Sequence, residues 1–320
     1  MVTGNIVEFE YIIESLGEME KEYEIKVVLI VESGSVAMGT TSYYSDRDIV
    51  CFYVKKDFID KKITFPNEMK LREIVSQNHG FTLRDRKLDI ELRELTSHIW
   101  MCVNPSVEHS NINCGRFDVF ARLLMSPYCW DPYGLRMKII PLIEAMSKND
   151  YILYSGMDGL KKRNMENEIS IKPYFKNEII KALRMEWALN YNSLPPVFLP
   201  TLLKSCTQAV VVEAIEKLLE YYRRIILEKH KEDGITHIMH TIIVTKRIDV
   251  IEAYFDEMIV RAEKKVPSFP EVDKDKDVKK VYDIYDILHS ALYQYDGQEV
   301  KDINFYKDNN MKFDKERFII

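Results

Sequence analysis

Glycine is scarce in this chain, with 11 glycines among 320 residues. Long hydrophobic runs are also missing, and Val27–Val31 and Ile99–Val103, for example, span five residues each. A membrane-spanning helix needs about 20 apolar residues, so we expect no membrane segment. The acids Glu8, Glu10 and Glu14 in the first apolar stretch argue against a secretory signal. Apolar residues at 46% and charged residues at 30% exclude a disordered or fibrous chain.

Paired cysteines and an excess of basic charge are missing as well. The five cysteines have no C-x-x-C spacing typical of zinc or redox sites, and their odd number argues against a disulfide framework. A reducing, cytoplasmic compartment is therefore expected. With 45 Lys and Arg against 51 Asp and Glu, the net charge is −6. This charge excludes a globally basic nucleic-acid coat but is compatible with a local basic groove.

The predicted elements place short strands before helices. After an amphipathic helix over 6–24, strands are expected at Ile25–Val31, Ile49–Val54 and Lys87–Arg93, and no element is predicted in the polar segment 55–80. Helices are then expected at 95–102, 116–126, 132–148, 173–192, 207–232, 236–264 and 278–295. This order predicts an α+β fold with a helical second half.

The strongest chemical signal begins at a glycine that follows the first strand. Gly34 has no Cβ, so a phosphate could approach its backbone closely. The amides of a short helix at Val36–Met38 would favour an anion, and the Ser35 hydroxyl adds a donor. The segment therefore suits a phosphate-binding loop.

Two acids open the second strand. Asp46 and Asp48 stand at i and i+2, which puts them on one face of a strand about 7 Å apart. Such carboxylates suit Mg²⁺, which also binds substrate phosphates. A third carboxylate on a neighbouring strand would complete a two-metal clamp for phosphoryl transfer, and Asp89 and Glu91 are the candidates. Gly-Ser after a strand and Asp-x-Asp at a strand start are each common structural features, but their combination in this order favours a functional site.

The spacing G-S-x-A-x-G, five residues, S-D-x-D resembles the signature of the DNA polymerase beta superfamily of nucleotidyltransferases. The resemblance implies that Gly34 and Ser35 hold the triphosphate of an NTP and that Asp46 and Asp48 bind divalent metal, Mg²⁺ or Mn²⁺. A third acid would help the acceptor hydroxyl to attack the α-phosphate. Asp89 is the favoured third acid, with Glu91 as the alternative.

Further motifs are similar to the predicted RNA-repair (RlaP-type) branch of that superfamily. They are Asn104-Pro105-Ser106-Val107-Glu108, Lys172, Lys176, Ala182-Leu183-Arg184, Trp187 and Pro195-Pro196-x-Phe198. This resemblance implies a small mixed-sheet palm over 1–115 and a helical domain over 116–264, and the composition predicts a charged linker, helix and tail over 265–320. The resemblance also makes Lys172, Lys176 and Arg184 candidates for nucleotide binding, in a basic region that begins at 161–163.

These features predict a metal-dependent nucleotidyltransferase. The enzyme would move a nucleoside monophosphate from an NTP to an acceptor hydroxyl and release pyrophosphate. The branch resemblance points to an RNA acceptor, such as the end of a tRNA. The alternatives are a small-molecule acceptor of the aminoglycoside kind, a protein acceptor that becomes adenylylated, or a non-catalytic nucleotide- or RNA-binding module on the same fold.

Overall fold

The computed structural model is a mixed α+β fold in which a β-sheet precedes most of the helices, as predicted. It describes residues 16–40, 47–55, 77–83, 86–95, 126, 129–146, 149–163, 169–191, 193–233, 243–244, 248–268, 270, 283–284, 286–287 and 290. Buried apolar side chains of the sheet and of the helices form one continuous core.

The sheet has five strands in the order β3-β4-β2-β1-β5. They are β1 at Ile25–Glu32, β2 at Arg47–Lys55, β3 at Gln77–Leu83, β4 at Arg86–Glu94 and β5 at Cys129–Trp130. β2 and β4 are parallel, and the other neighbours are antiparallel. The three predicted strands are confirmed within two residues at each end. β3 begins in the segment for which no element was predicted.

The interior strand β1 is buried along its whole length, including two charged residues. Lys26 is one of them, and its Nζ lies 3.8 Å from Oε2 of Glu20, in a helix (α1) described over 16–22. The backbone N–H of Val27 donates to Oε1 of Glu20 at 2.8 Å, beside the shift in register between Val27 and Leu29. A buried carboxylate is costly unless it is paired and hydrogen-bonded, and Glu20 is both.

The remaining helices follow the chain from the end of β1. They are α2 at Gly34–Met38, α3 at Leu135–Met146, α4 at Asn149–Lys161, α5 over 171–190 with a π-helical segment at Tyr174–Ile179, α6 at Leu199–Ser205, α7 at Ala209–Asp233 and α8 at Asp249–Lys265. The helices predicted over 132–148, 173–192 and 207–232 are confirmed. The predictions for 95–102 and 116–126 lie almost wholly outside the described residues.

The predicted helix over 236–264 is wrong at Ile243–Val244 and is confirmed from Asp249 onward. Ile243–Val244 forms a two-residue strand, β7, which pairs antiparallel with β6 at Ile169–Ser170. The strand lies within a β-branched run, Thr241–Thr245, and such residues favour extended backbone. The helix begins only at Asp249.

A buried carboxylate joins three helices. Glu186 in α5 is 1% exposed and accepts both the backbone N–H and the hydroxyl of Thr207, at 3.0 and 2.5 Å, just before α7. The hydroxyl of Tyr254 in α8 donates to its other oxygen at 2.8 Å. Burial raises the pKa of Glu186, but the hydrogen bonds from Thr207 and Tyr254 outweigh burial and lower the pKa below its ordinary value. The helices are thus held together by an ionised group.

Glu186→Gln should lower the free energy of unfolding by roughly 1.5–3 kcal/mol at pH 7, because it weakens hydrogen bonds to a charged acceptor. The folded-state pKa is depressed, so this stabilisation is present above the unfolded value of about 4.3 and is lost as the pH falls below it. The difference from wild type, measured by urea unfolding, should therefore stay nearly constant from pH 7 down to about pH 5 and narrow below about pH 4.3. Glu213→Gln, at an exposed pair with Lys217, is the control and should change stability little. A difference that widens at low pH would contradict this account.

Candidate active site

The backbone of Gly34 lies directly against the carboxylate of Asp48. A Cβ placed on Gly34 would lie 1.7 Å from Oδ2 of Asp48 and 2.7 Å from its Cγ. Gly34 also has a φ of +63°, in the left-handed region that other residues adopt at a cost. Glycine is therefore required here for two independent reasons, one of which is the position of an acid from the predicted metal pair.

Ser33 connects the end of β1 to the start of β2. Its backbone N–H donates to the carbonyl oxygen of Asp48 at 2.7 Å, and its hydroxyl reaches the same oxygen at 3.3 Å. The hydroxyl therefore binds Asp48 and does not cap α2. These contacts fix the backbone on both sides of the close approach between Gly34 and Asp48.

The C-terminal end of α2 is closed by a second glycine in the left-handed region. Gly39 has a φ of +70°, and its N–H donates to the carbonyl of Val36 at 3.0 Å. The N–H of Thr40 donates to the carbonyl of Ser35, also at 3.0 Å. Such bonds satisfy carbonyl groups that the end of a helix leaves open. The segment predicted to hold a triphosphate is thus a single short helix with a left-handed glycine at each end.

The strand register brings two predicted acids to neighbouring positions. Asp48 in β2 pairs with Asp89 in the parallel strand β4, and Val50 pairs with Glu91. Paired positions on adjacent strands share a face of a sheet. For Asp89 the structure describes the backbone alone, and Asp46 lies outside the described residues. The alternation predicted for β4 holds for Ile90 and Leu92, which are buried.

Glu91, the alternative third acid, is held by an arginine of its own strand. Arg93 donates from Nε and Nη2 to the two carboxylate oxygens of Glu91, both at 2.7 Å. A bidentate pair of this kind is among the stronger polar contacts in proteins. A metal would have to compete with that guanidinium for Glu91, which argues against Glu91 as a metal ligand.

The basic residues at 161–163 do not form an open basic groove. Lys161 contacts Glu263, and Lys162 binds Asp158 one turn earlier at 2.8 Å. Arg163 binds Glu252 at 3.1 Å and Asp256 at 2.7 Å, and its guanidinium lies 5.8 Å from the ring centre of Phe255. Each cation is thus paired with an acid. The contacts of Arg163 join the end of α4 to α8.

The three other predicted cations lie in α5. The backbone of Lys172 and Lys176 is helical, but their side chains lie outside the description, and Lys176 stands within the π-helical segment. Arg184 is 4% exposed. Its burial argues against direct contact with a triphosphate. Trp187 donates from its indole N–H to the carbonyl of Ser193 at 3.2 Å and packs on Tyr191.

Cys51 and Cys206 carry no sign of nucleophilic chemistry. Burial raises the pKa of the Cys51 thiol. Burial, helped by the nearby Glu186 carboxylate, raises the pKa of Cys206 to about 11. Both groups are therefore protonated thiols at neutral pH, and a thiol is a poor nucleophile.

The part of the chain that the structure describes contains no group of three or more metal-binding side chains. Because Asp46 and the side chain of Asp89 lie outside that part, the predicted metal set of Asp46, Asp48 and Asp89 stays a prediction.

None of the described helices is both long and apolar enough to cross a membrane.

Neither the family models nor the curated proteins contain a match to this chain.

Arg223 contacts this site, and the sequence did not predict that it would. Its Nη2 donates to the carbonyl oxygen of Gly39 at 3.3 Å. The contact joins residues 184 positions apart, so no local pattern could have indicated it.

The close approach of Gly34 to Asp48 predicts a distinctive loss of stability in Gly34→Ala. Gly134 is the matched control, because its φ is +62° but a Cβ there would meet nothing within 4 Å. Gly134→Ala should cost about 1–2 kcal/mol from backbone strain alone. Gly34→Ala should cost about 1–3 kcal/mol more, because Asp48 must move away from the new methyl group.

A double-mutant cycle with Asp48→Ala isolates that contact, with thermal unfolding as the measurement. In the Asp48→Ala background the extra cost of Gly34→Ala should largely disappear, because the carboxylate is gone. Equal losses for Gly34→Ala and Gly134→Ala in the wild-type background would contradict the geometry.

Proposed function

We propose that this protein is a metal-dependent nucleotidyltransferase. It would transfer a nucleoside monophosphate from an NTP to an acceptor hydroxyl and release pyrophosphate. The observation that carries the proposal is the contact between Gly34 and the carboxylate of Asp48. A glycine loop suited to phosphate oxygens and a carboxylate suited to a divalent cation lie side by side, as a metal–triphosphate complex would require.

The residues present fit a divalent metal by the chemistry of their donors. Asp48 supplies carboxylate oxygens, and Asp89 occupies the paired position on the adjacent strand. Asp46, two residues before Asp48, would be the third ligand. Bound there, Mg²⁺ or Mn²⁺ would neutralise negative charge on the phosphates.

The protein would otherwise act by positioning. The backbone at Gly34 and the hydroxyl of Ser35 would hold the β- and γ-phosphates, so that the α-phosphorus faces the acceptor. The acceptor oxygen forms a bond to the α-phosphorus while the bond from that phosphorus to the bridging oxygen of pyrophosphate breaks. The hydroxyl proton passes to the carboxylate of Asp89. No covalent intermediate with the protein is needed.

An RNA 3′ end is the acceptor that we propose, on the resemblance to the RNA-repair branch. The acidic net charge and the ion-paired cations at 161–163 offer little support for binding a long duplex. A short end needs only a few contacts close to the catalytic carboxylates. The reaction class rests on Gly34 and Asp48, and the acceptor rests on the resemblance.

The test is to incubate the protein with each α-labelled NTP, Mg²⁺ and total tRNA, and to measure both transfer of label and release of pyrophosphate. Parallel reactions replace the RNA with aminoglycosides or with a cell-protein extract. We expect the label to appear on RNA. Label found only on a small molecule or a protein would contradict RNA as the acceptor but would still support nucleotidyl transfer. Pyrophosphate release without transfer of label to any of these acceptors would contradict nucleotide transfer.

Acid variants connect the activity to the site. Asp48→Asn and Asp89→Asn should each reduce the rate by at least about a thousandfold, because each removes a charge that acts on the transition state. Glu91→Gln should keep most of the activity, because Glu91 is already bound by Arg93. Full activity in Asp48→Asn would overturn the proposed site. A loss in Glu91→Gln that equals the loss in Asp89→Asn would overturn the choice of third acid.

A further inference from the structure

The loop beside the candidate site is held at its far end by the helices. Phe198 and Pro200, at the start of α6, pack so closely on Gly39 that a Cβ there would lie 2.7 Å from Cε2 of Phe198 and 2.8 Å from Cδ of Pro200. The guanidinium of Arg223 in α7 donates to the carbonyl oxygen of Gly39 at 3.3 Å. Two helices far along the chain thus contact the last residue of the loop.

α2 is therefore fixed at both ends by different parts of the fold. At its first residue Gly34 lies against Asp48 of the sheet, and at its C-terminal cap Gly39 lies against α6 and α7. Between them Ala37 is buried at 3% exposure. Because α2 has only five residues, Gly39 lies close to Ser35 and Gly34 along the chain.

The helix that carries Arg223 is itself well anchored. Tyr222, the preceding residue, is 4% exposed and its ring lies 6.2 Å from that of Phe175 in α5. Ile226 on the next turn is also buried. Arg223 therefore extends from a fixed support, and a hydrogen bond from a charged donor is stronger than one from a neutral donor.

We infer that Arg223 is a positioning residue for the candidate nucleotide loop. By holding the carbonyl of Gly39 it fixes α2, and with it the backbone at Gly34 and Ser35 beside Asp48. The consequence for catalysis rests on the proposed function, whereas the mechanical role of Arg223 does not.

The kinetic test compares Arg223→Ala with Arg224→Ala. Arg224 is the matched control, because its guanidinium lies 5.6 Å from the ring of Tyr221 and 3.9 Å from Glu228, both on its own helix. Arg223→Ala should raise the KM for the NTP about five- to tenfold and change kcat less than about twofold. The reason is that a loosened loop is binding-competent for a smaller fraction of the time, and saturating nucleotide restores it. Arg223→Lys, which keeps a charged donor, should return the KM to within about twofold of wild type.

A second measurement needs no activity. The amides of Gly39 and Thr40 are hydrogen-bonded within the loop, so amide hydrogen exchange reports its order directly. Arg223→Ala should speed exchange in a peptide covering 36–40 at least about threefold, while Arg224→Ala leaves it unchanged. If wild type transfers no nucleotide to any acceptor, the proposed function fails and exchange alone decides the role of Arg223.

Two results would overturn the positioning role. One is exchange over 36–40 in Arg223→Ala that equals exchange in Arg224→Ala. The other is a uniform increase in exchange along the chain together with a lower melting temperature, which would indicate a general loss of stability. A local increase at 36–40 with an unchanged melting temperature supports the inference.

Discussion

The close contact between Gly34 and Asp48 is the constraint on which the candidate site depends. It requires a residue without a side chain at a positive φ, and it places the start of β2 against the loop that leaves β1. The contacts of Ser33 with the Asp48 carbonyl maintain that approach. Parallel pairing of β2 with β4 then sets the position of Asp89 opposite Asp48. The loop at Gly34, the carboxylate of Asp48 and strand β4 thus depend on one another.

The helical part of the chain supports this arrangement from the other side. Phe198, Pro200 and Arg223 meet at Gly39. Farther away, Glu186 joins α5, α8 and the residues before α7 through hydrogen bonds to an ionised carboxylate. The charged groups inside the protein are therefore used mainly to connect elements. Arg163 likewise connects the end of α4 to α8 through Glu252 and Asp256.

The spacing of apolar residues predicted much of the fold, because that spacing determines which face of a strand or helix is buried. The three predicted strands and the long helices at 171–190 and 209–233 were found from their apolar spacing. β3 was missed because its residues, Gln77–Leu83, are mostly polar, and β7 was hidden within a helix-like stretch. The Gly34, Ser35 and Asp48 motif was visible in the sequence, but the register of Asp48 with Asp89 was not. Contacts such as that of Arg223 with Gly39 depend on tertiary packing and have no local signal.

In the function that we propose, Asp48, held against Gly34, is a ligand for the metal that accompanies a nucleotide. Binding of Mn²⁺, followed by electron paramagnetic resonance with a non-hydrolysable NTP analogue present, tests it most directly. Asp48→Asn should weaken Mn²⁺ binding by at least about tenfold. Asp249→Asn, at an exposed acid at the start of α8, should leave binding unchanged. Equal Mn²⁺ affinity in wild type and Asp48→Asn would contradict the account.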